Sequence, residues 1–168
     1  MNINRSLEGF QKEFLSVLLD GEKAECMRLT DKYLAENNNI TSLYENLYRE
    51  VLYHVGYLWE NNKISVAKEH LATAIIEGIM NTLYEKISSD NQLRKKTIVT
   101  CAENEQHQVG AKMVSDTFEQ NGWAVDFLGT STPLNELFIF IDDVQPDILC
   151  ISLSVYFNMS SFIQMIKK

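Results

Sequence analysis

The spacing of apolar residues changes near the middle of this chain, and this change constrains the fold more than any other feature. Up to residue 87 the apolar residues recur at helical spacing, and no proline occurs before Pro133. From residue 96 onward, short runs rich in β-branched residues alternate with helical runs. This pattern predicts a helical part followed by a part in which strands and helices alternate.

The first part, residues 1–89, contains four predicted helices. The first two cover residues 6–19 and 22–36, the third begins at a cap formed by Thr41 or Ser42, and the fourth covers residues 65–87. The third helix carries an apolar face of Leu43, Leu47, Val51, Val55 and Leu58. Short connections place successive helices antiparallel, so we expect a four-helix bundle.

The second part, residues 95–168, predicts a Rossmann-like (flavodoxin-like) parallel sheet. Strands are expected at residues 96–102, 123–128 and 147–155, with helices at 108–120 and 134–144. Residues 88–94 are polar and are expected to form a linker, and residues 160–168 are expected to begin a third helix. Three strands are few for such a domain, so we expect the sequence to be truncated at its carboxyl end.

Composition excludes several classes of function. Acidic residues outnumber basic ones by 23 to 15, and the formal net charge is −8, which argues against direct nucleic-acid binding. The amino-terminal segment lacks the apolar core of a signal peptide, and no apolar run approaches the roughly 18 residues of a membrane span, so we expect a cytoplasmic protein. Three histidines and three unpaired cysteines do not form a zinc motif, and no G-x-G-x-x-G follows the first strand.

The segment directly after the first predicted strand holds a candidate site. Ligands of open parallel sheets bind beyond the carboxyl ends of the strands, where Glu105, His107 and Gly110 are expected. A spacing of two residues in an extended segment places Glu105 and His107 on one side, where the carboxylate fixes the imidazole tautomer as in many metal sites. Gly110 allows close approach to the backbone. A solvated surface histidine is the simpler alternative for His107.

The segment from Glu105 to Gly110 resembles the E/D-x-H-x-x-G motif of the cobalamin-binding domains of methionine synthase, corrinoid methyl carriers and some light sensors. This resemblance implies that His107 is the lower cobalt ligand, in place of the dimethylbenzimidazole of the cofactor. As in that family, 41 residues separate Gly110 from Ser152, where a serine motif follows. The resemblance therefore implies cofactor contacts for Ser152 and Ser154.

A second motif lies in the helical part, where nine residues separate Trp59 from the pair Glu69 and His70. This W-x9-EH spacing resembles that of the adenosylcobalamin photoreceptors of the CarH type. A turn at residues 61–62 is expected to bring the two ends of the motif together, and His70 is expected to point inward beside small residues. The alternatives are a core histidine paired with Glu45 or Glu50, and a tryptophan that only fills the core.

In this resemblance the helical part, residues 1–89, corresponds to a four-helix-bundle cap that precedes the cobalamin-binding domain, and its motif residues have implied roles. Trp59 would shelter the upper ligand of adenosylcobalamin, Glu69 would hydrogen-bond that ligand, and His70 would take the upper cobalt position after light has acted. The resulting hypothesis is a sensory module rather than an enzyme, because the cofactor carries the reactive chemistry. We expect its partner to be a second copy or a separate regulatory protein.

Other functions use part of the same motifs. A corrinoid methyl carrier, with methylcobalamin as cofactor and a methyltransferase as partner, would also use His107 but would not need the W-x9-EH set. A fragment of a mutase is another alternative, although the barrel domain that handles the substrate in mutases is not recognisable here. A helical interaction domain joined to a flavodoxin-like fold without a cofactor is the alternative outside cobalamin chemistry.

Overall fold

The computed structural model describes residues 7–84, 87, 93–154, 159 and 162–163. The chain forms two compact units, Met1–Leu83 and Tyr84–Lys168. Most of the predicted linker at 88–94 and most of the predicted helix at 160–168 lie outside the described residues. Within the part of the chain that the structure describes, no helix is long and apolar enough to cross a membrane.

The first unit contains four successive helical segments, as predicted, and the third of them changes its winding along its length. The elements are α1 (Gly9–Asp20), α2 (Lys23–Asn37), α3 (Ile40–Leu43), a π-helical segment (Tyr44–Tyr48), α4 (Arg49–Glu60) and α5 (Val66–Thr82). The π-helical segment joins α3 to α4 without a break, so these three elements form one continuous helical segment.

The start of the third helical segment differs from the prediction. Asn39, rather than Thr41 or Ser42, is the cap, and its side-chain oxygen accepts a hydrogen bond from the Ser42 amide at 2.9 Å. The earlier position is favoured because the short amide side chain of Asn39 reaches an otherwise unpaired amide of the first turn. At α5 the hydroxyl of Ser65 caps the helix by accepting from the Lys68 amide at 3.3 Å.

The core of the first unit forms where the apolar faces of these helices meet. The predicted face of the third helical segment is confirmed for Leu43, Leu47, Val51 and Val55, which are buried. Tyr48 is also fully buried; its hydroxyl lies 2.7 Å from the Thr30 hydroxyl, and its ring centroid lies 5.6 Å from that of Phe14. From α5 the core receives Ala72, Ile75, Ile76, Ile79 and Met80.

The second unit has the predicted Rossmann-like arrangement. Its elements are β1 (Lys96–Cys101), α6 (Val109–Gln120), β2 (Ala124–Gly129), α7 (Leu134–Val144) and β3 (Ile148–Ser152). The three strands form a parallel sheet in the order β2-β1-β3, with Thr97 paired to Ile148 and Cys101 to Ser152.

Alternate residues of β1 face opposite sides of this sheet. Ile98 packs with Leu137 of α7 on one side, and Val99 and Cys101 pack with Ala111 of α6 on the other. A central strand buried on both faces explains the continuous β-rich run that predicted it. The parallel order places the segments that follow β1, β2 and β3 at one edge of the sheet.

Candidate functional site

A carboxylate and an imidazole meet in the segment after β1. Glu105 has no solvent exposure, and its Oε1 lies 2.5 Å from Nδ1 of His107. The same oxygen accepts hydrogen bonds from the backbone amides of Gln106 and His107, each at 3.0 Å. The predicted contact between Glu105 and His107 is therefore present. Because Nδ1 faces the carboxylate, Nε2 of the half-exposed His107 ring is the nitrogen able to coordinate a metal.

The second oxygen of Glu105 connects this segment to the end of β3. Oε2 accepts a hydrogen bond from the backbone amide of Ser154 at 2.9 Å. Ser152, the last residue of β3, is half-buried, and its carbonyl accepts from the Ala102 amide at 2.8 Å. The two predicted serines thus lie at the same edge of the sheet as His107.

Two glycines at this edge have different local environments. Gly110 is the second residue of α6, and a Cβ added there would meet nothing within 4 Å. Gly129 ends β2 with a φ of +65°, and a Cβ there would lie 2.7 Å from Oε1 of Gln108. The left-handed backbone at residue 129 therefore favours glycine, whereas Gly110 leaves open surface beside the first turn of α6.

The segment after β2 is a part of this edge that sequence reasoning missed. The side-chain amide of Gln106 lies 3.4 Å from the Ser131 hydroxyl, so the segments after β1 and β2 are in contact. The signal available in the sequence was the position of Gly129 and Pro133 at the end of a predicted strand.

The side chains at this edge fit a corrinoid. Imidazole is a suitable cobalt ligand, and the buried Glu105 holds the His107 ring so that one nitrogen points away from its partner carboxylate. The backbone at Gly110 is open, so a flat, bulky group can approach it close to the segment that carries His107.

The helical unit carries a second pair of the same kind. Oε2 of Glu69 lies 2.6 Å from Nδ1 of His70, and Oε1 of Glu69 accepts from the Thr73 hydroxyl at 3.1 Å. Glu69 is mostly buried, with 14% of its side chain exposed, whereas 74% of the His70 side chain is exposed. As in the first pair, the carboxylate occupies Nδ1, and Nε2 is the nitrogen able to coordinate.

The expectation that His70 points into the helical core is wrong. Ala72 and Ile76 lie on the buried stripe of α5, and at 3.6 residues per turn His70 lies about 160° around the helix from Ala72. Neither Glu45 nor Glu50 is its partner, because Glu69 is. Of the small residues expected beside His70, Ala67 and Ala74 are exposed, and Gly78 is half-buried.

Trp59 also lies at the surface of the helical unit. It is the penultimate residue of α4, and 43% of its surface is exposed, so it is not a core filler. Five residues, 61–65, connect α4 to α5 and place the two ends of the motif at one end of this helix pair.

Comparison with known proteins adds family matches for both units. Residues 11–84 match one family described as a B12 binding domain, and residues 95–168 match a second family of the same description. The HTH-type transcriptional repressor CarA of Myxococcus xanthus is 28% identical over 90 residues, which are 54% of this chain and 31% of that protein. The chain therefore matches about a third of the length of this curated relative.

A solved structure shares the fold. The monomethylamine corrinoid protein of Methanosarcina barkeri superimposes with a TM-score of 0.79 and 15% sequence identity, over 92% of this chain and 74% of that chain. At this level of identity the likeness shows a shared fold, in which a helical unit is followed by a Rossmann-like sheet.

Proposed function

Because both units of this chain belong to B12 binding domain families, the protein binds cobalamin, and we propose that it does so as a light sensor. The observation that carries the proposal is the Glu69–His70 pair, which presents an exposed imidazole on the helical unit with Nδ1 already occupied. The preferred form of the cofactor is adenosylcobalamin, which supplies a cobalt–carbon bond that light cleaves.

His107 is the proposed lower ligand. Glu105 holds its Nδ1, so that Nε2 would be the atom that binds the metal, while the Ser154 amide holds Glu105. Ser152 and Ser154 are proposed to contact the nucleotide tail of the cofactor, and Gly110 to leave room for its approach.

The cap residues are proposed to act on the upper side. Trp59 shelters the upper ligand from water, and Glu69 holds it by hydrogen bonding. His70 would coordinate the metal through Nε2 once that ligand had left, and such a bond would change how the helical unit is held. A change of this kind supplies the two-state element that a sensor needs.

The relationship to CarA supports a regulatory role, since that relative is a transcriptional repressor. We expect the output to be a change in self-association or in binding to a separate regulatory protein. A methyl carrier remains the alternative because it would use His107 in the same way.

The test is an absorption spectrum of the chain mixed with adenosylcobalamin in the dark, desalted and then exposed to green light. A light sensor retains the cofactor, and its spectrum changes on illumination and stays changed in the dark. Retained cofactor that shows only the slow photolysis of the free compound would favour the methyl carrier. Failure to retain any corrinoid would contradict cobalamin binding by this chain.

Histidine variants assign the roles. His70→Ala is expected to bind adenosylcobalamin in the dark but to give a different spectrum after illumination. His54→Ala is the matched control, because His54 lies on α4 outside both motifs, and it should behave as the unmodified chain does. An unchanged illuminated spectrum in His70→Ala would remove His70 from the mechanism while leaving binding through His107 intact.

A further inference from the structure

One face of α4 points away from the core of its unit and carries two exposed tyrosines. Tyr53 and Tyr57 are 54% and 45% exposed, whereas Val51 and Val55 of the same helix are buried. Tyrosine is enriched at protein interfaces because it combines a large apolar ring with a polar hydroxyl. Two of them one turn apart form a continuous aromatic surface.

This surface continues in both directions along the helix. We define the tyrosine stripe as Arg49, Tyr53, Gly56, Tyr57 and Glu60, which share one side of α4 at intervals of three and four residues. Arg49, at its first turn, and Glu60, at its last residue, are both exposed. A Cβ added to Gly56 would meet nothing within 4 Å, so the backbone at its centre is open to approach.

The tyrosine stripe is complementary to itself. An antiparallel alignment that places Arg49 opposite Glu60 of the partner subunit also places Tyr53 opposite Gly56 of the partner subunit. Both pairs are centred on the same point, between residues 54 and 55, so a single two-fold axis satisfies them together. Arg49 already contacts Glu50 of its own chain at 3.1 Å, and the fork of its guanidinium leaves further donors for a second carboxylate.

We infer that two copies of this chain associate through the tyrosine stripe, with their α4 helices antiparallel about a two-fold axis. Each Tyr53 ring packs over the open Gly56 backbone of the partner subunit, and two Arg49–Glu60 ion pairs flank the centre. The inference does not depend on cobalamin or on light, since none of these residues belongs to the proposed cofactor site.

The association should be weak. The stripe spans 11 residue steps, about 16 Å of helix, which is too short to bury the roughly 1,200 Å² or more of a stable interface. The net charge of −8 on each copy adds repulsion that salt screens. We therefore expect a concentration-dependent dimer.

Sedimentation velocity of the full chain in the dark, without cofactor, is the first measurement, from micromolar to several hundred micromolar protein. We expect a shift from monomer toward dimer across this range. A chain that stays monomeric at the highest concentration would overturn the proposal.

Charge reversal tests the antiparallel register. Arg49→Glu or Glu60→Arg alone places like charges opposite each other twice, and each variant should raise the dissociation constant about tenfold or more. Mixing the two variants should restore a dimer, because each new charge then faces its opposite in the other copy. The double reversal in one chain should also restore it. A dimer unaffected by either single reversal, or no mixed dimer, would contradict this register.

Gly56→Leu tests the packing at the centre without changing charge. The added side chain meets open space in its own chain, so the thermal unfolding of the unit should be unchanged or improved. In the dimer it occupies the place of the Tyr53 ring, and the dissociation constant should rise about tenfold or more. A Gly56→Leu chain that dimerises as well as the original would show that α4 is not the interface.

Discussion

The backbone amide of Ser154 donates a hydrogen bond to Oε2 of Glu105 at 2.9 Å, across 49 residues of sequence. The other oxygen of this buried carboxylate accepts from the His107 amide and lies beside Nδ1 of the His107 ring, so one side chain connects the ends of β1 and β3 to the candidate cobalt ligand. Charge-assisted bonds of this kind hold a group in a single orientation. The position of the His107 ring therefore depends on the whole edge of the sheet.

Replacement of Glu105 should weaken both the protein and its cofactor binding. In Glu105→Gln one acceptor oxygen becomes a donor, which leaves a buried amide of the segment unsatisfied at a cost of about 1–3 kcal/mol. Loss of the carboxylate beside His107 should lower cobalamin affinity about 10–100-fold. Urea unfolding and spectroscopic titration measure the two effects. Glu136 is exposed, so Glu136→Gln is the control. Equal cobalamin affinities of the two variants would exclude a role for Glu105 in binding.

Gly110 and Gly129 should respond in opposite ways to an added side chain. Gly110→Leu leaves the free protein as stable as before, because the side chain meets open space on a helix, but it should lower cobalamin affinity. Gly129→Ala should destabilise the free protein by about 1–2 kcal/mol, because its φ is positive and Gln108 is close. Thermal unfolding distinguishes the two variants. An unchanged cobalamin affinity in Gly110→Leu would mean that the cofactor binds elsewhere.

The elements of the sheet domain could be predicted because their signals are local. β1 is a continuous run of β-rich sequence because it is buried on both faces, and the predicted bounds of α7, Leu134–Val144, are those observed. The contact of Glu105 with His107 was predictable for the same reason, at a separation of two residues.

Features that depend on tertiary packing could not be predicted in this way. Small residues at helical spacing from His70 fit either a core or an open surface, and only the buried stripe through Ala72 and Ile76 shows that His70 lies outside the core. The contact between Ser154 and Glu105 depends on strand order, which periodicity does not supply.

Asp147 should contribute to stability at neutral pH but not in acid. Its carboxylate lies 2.5 Å from the Lys95 ammonium and accepts from the Lys96 amide at 2.9 Å, and these bonds, the first above all, lower its pKa. Since the folded pKa lies below the unfolded value of about 4, the stabilisation is present above pH 4 and is lost as the pH falls through the folded pKa.

Asp147→Asn tests this dependence in urea unfolding between pH 3 and pH 7. The variant should be less stable than the original chain at pH 7, and the difference should shrink toward pH 3. A difference that stays constant over this range would mean that the carboxylate charge is not responsible.

The rate at which a thiol reagent labels Cys101 should report on cofactor binding. Its side chain is buried, its Sγ lies 3.8 Å from the His107 carbonyl, and burial raises its pKa to about 11, so little thiolate forms near neutral pH. Labelling by a thiol reagent then requires the segment that carries His107 to open. Ligation of His107 by cobalamin should close this route and slow the labelling of Cys101 severalfold.

Cys26 is the internal control for this experiment. It is buried in the helical unit, and burial raises its pKa to about 11 as well, but it lies far from His107 in sequence and in the other compact unit. Labelling is followed by mass spectrometry of peptides in a Cys150→Ser background, so that the half-buried third thiol does not contribute. If the cofactor slows the labelling of Cys101 but not of Cys26, it binds at the segment that carries His107. Equal slowing of both would indicate a general rise in stability. No slowing would mean that the cofactor does not bind at this edge of the sheet.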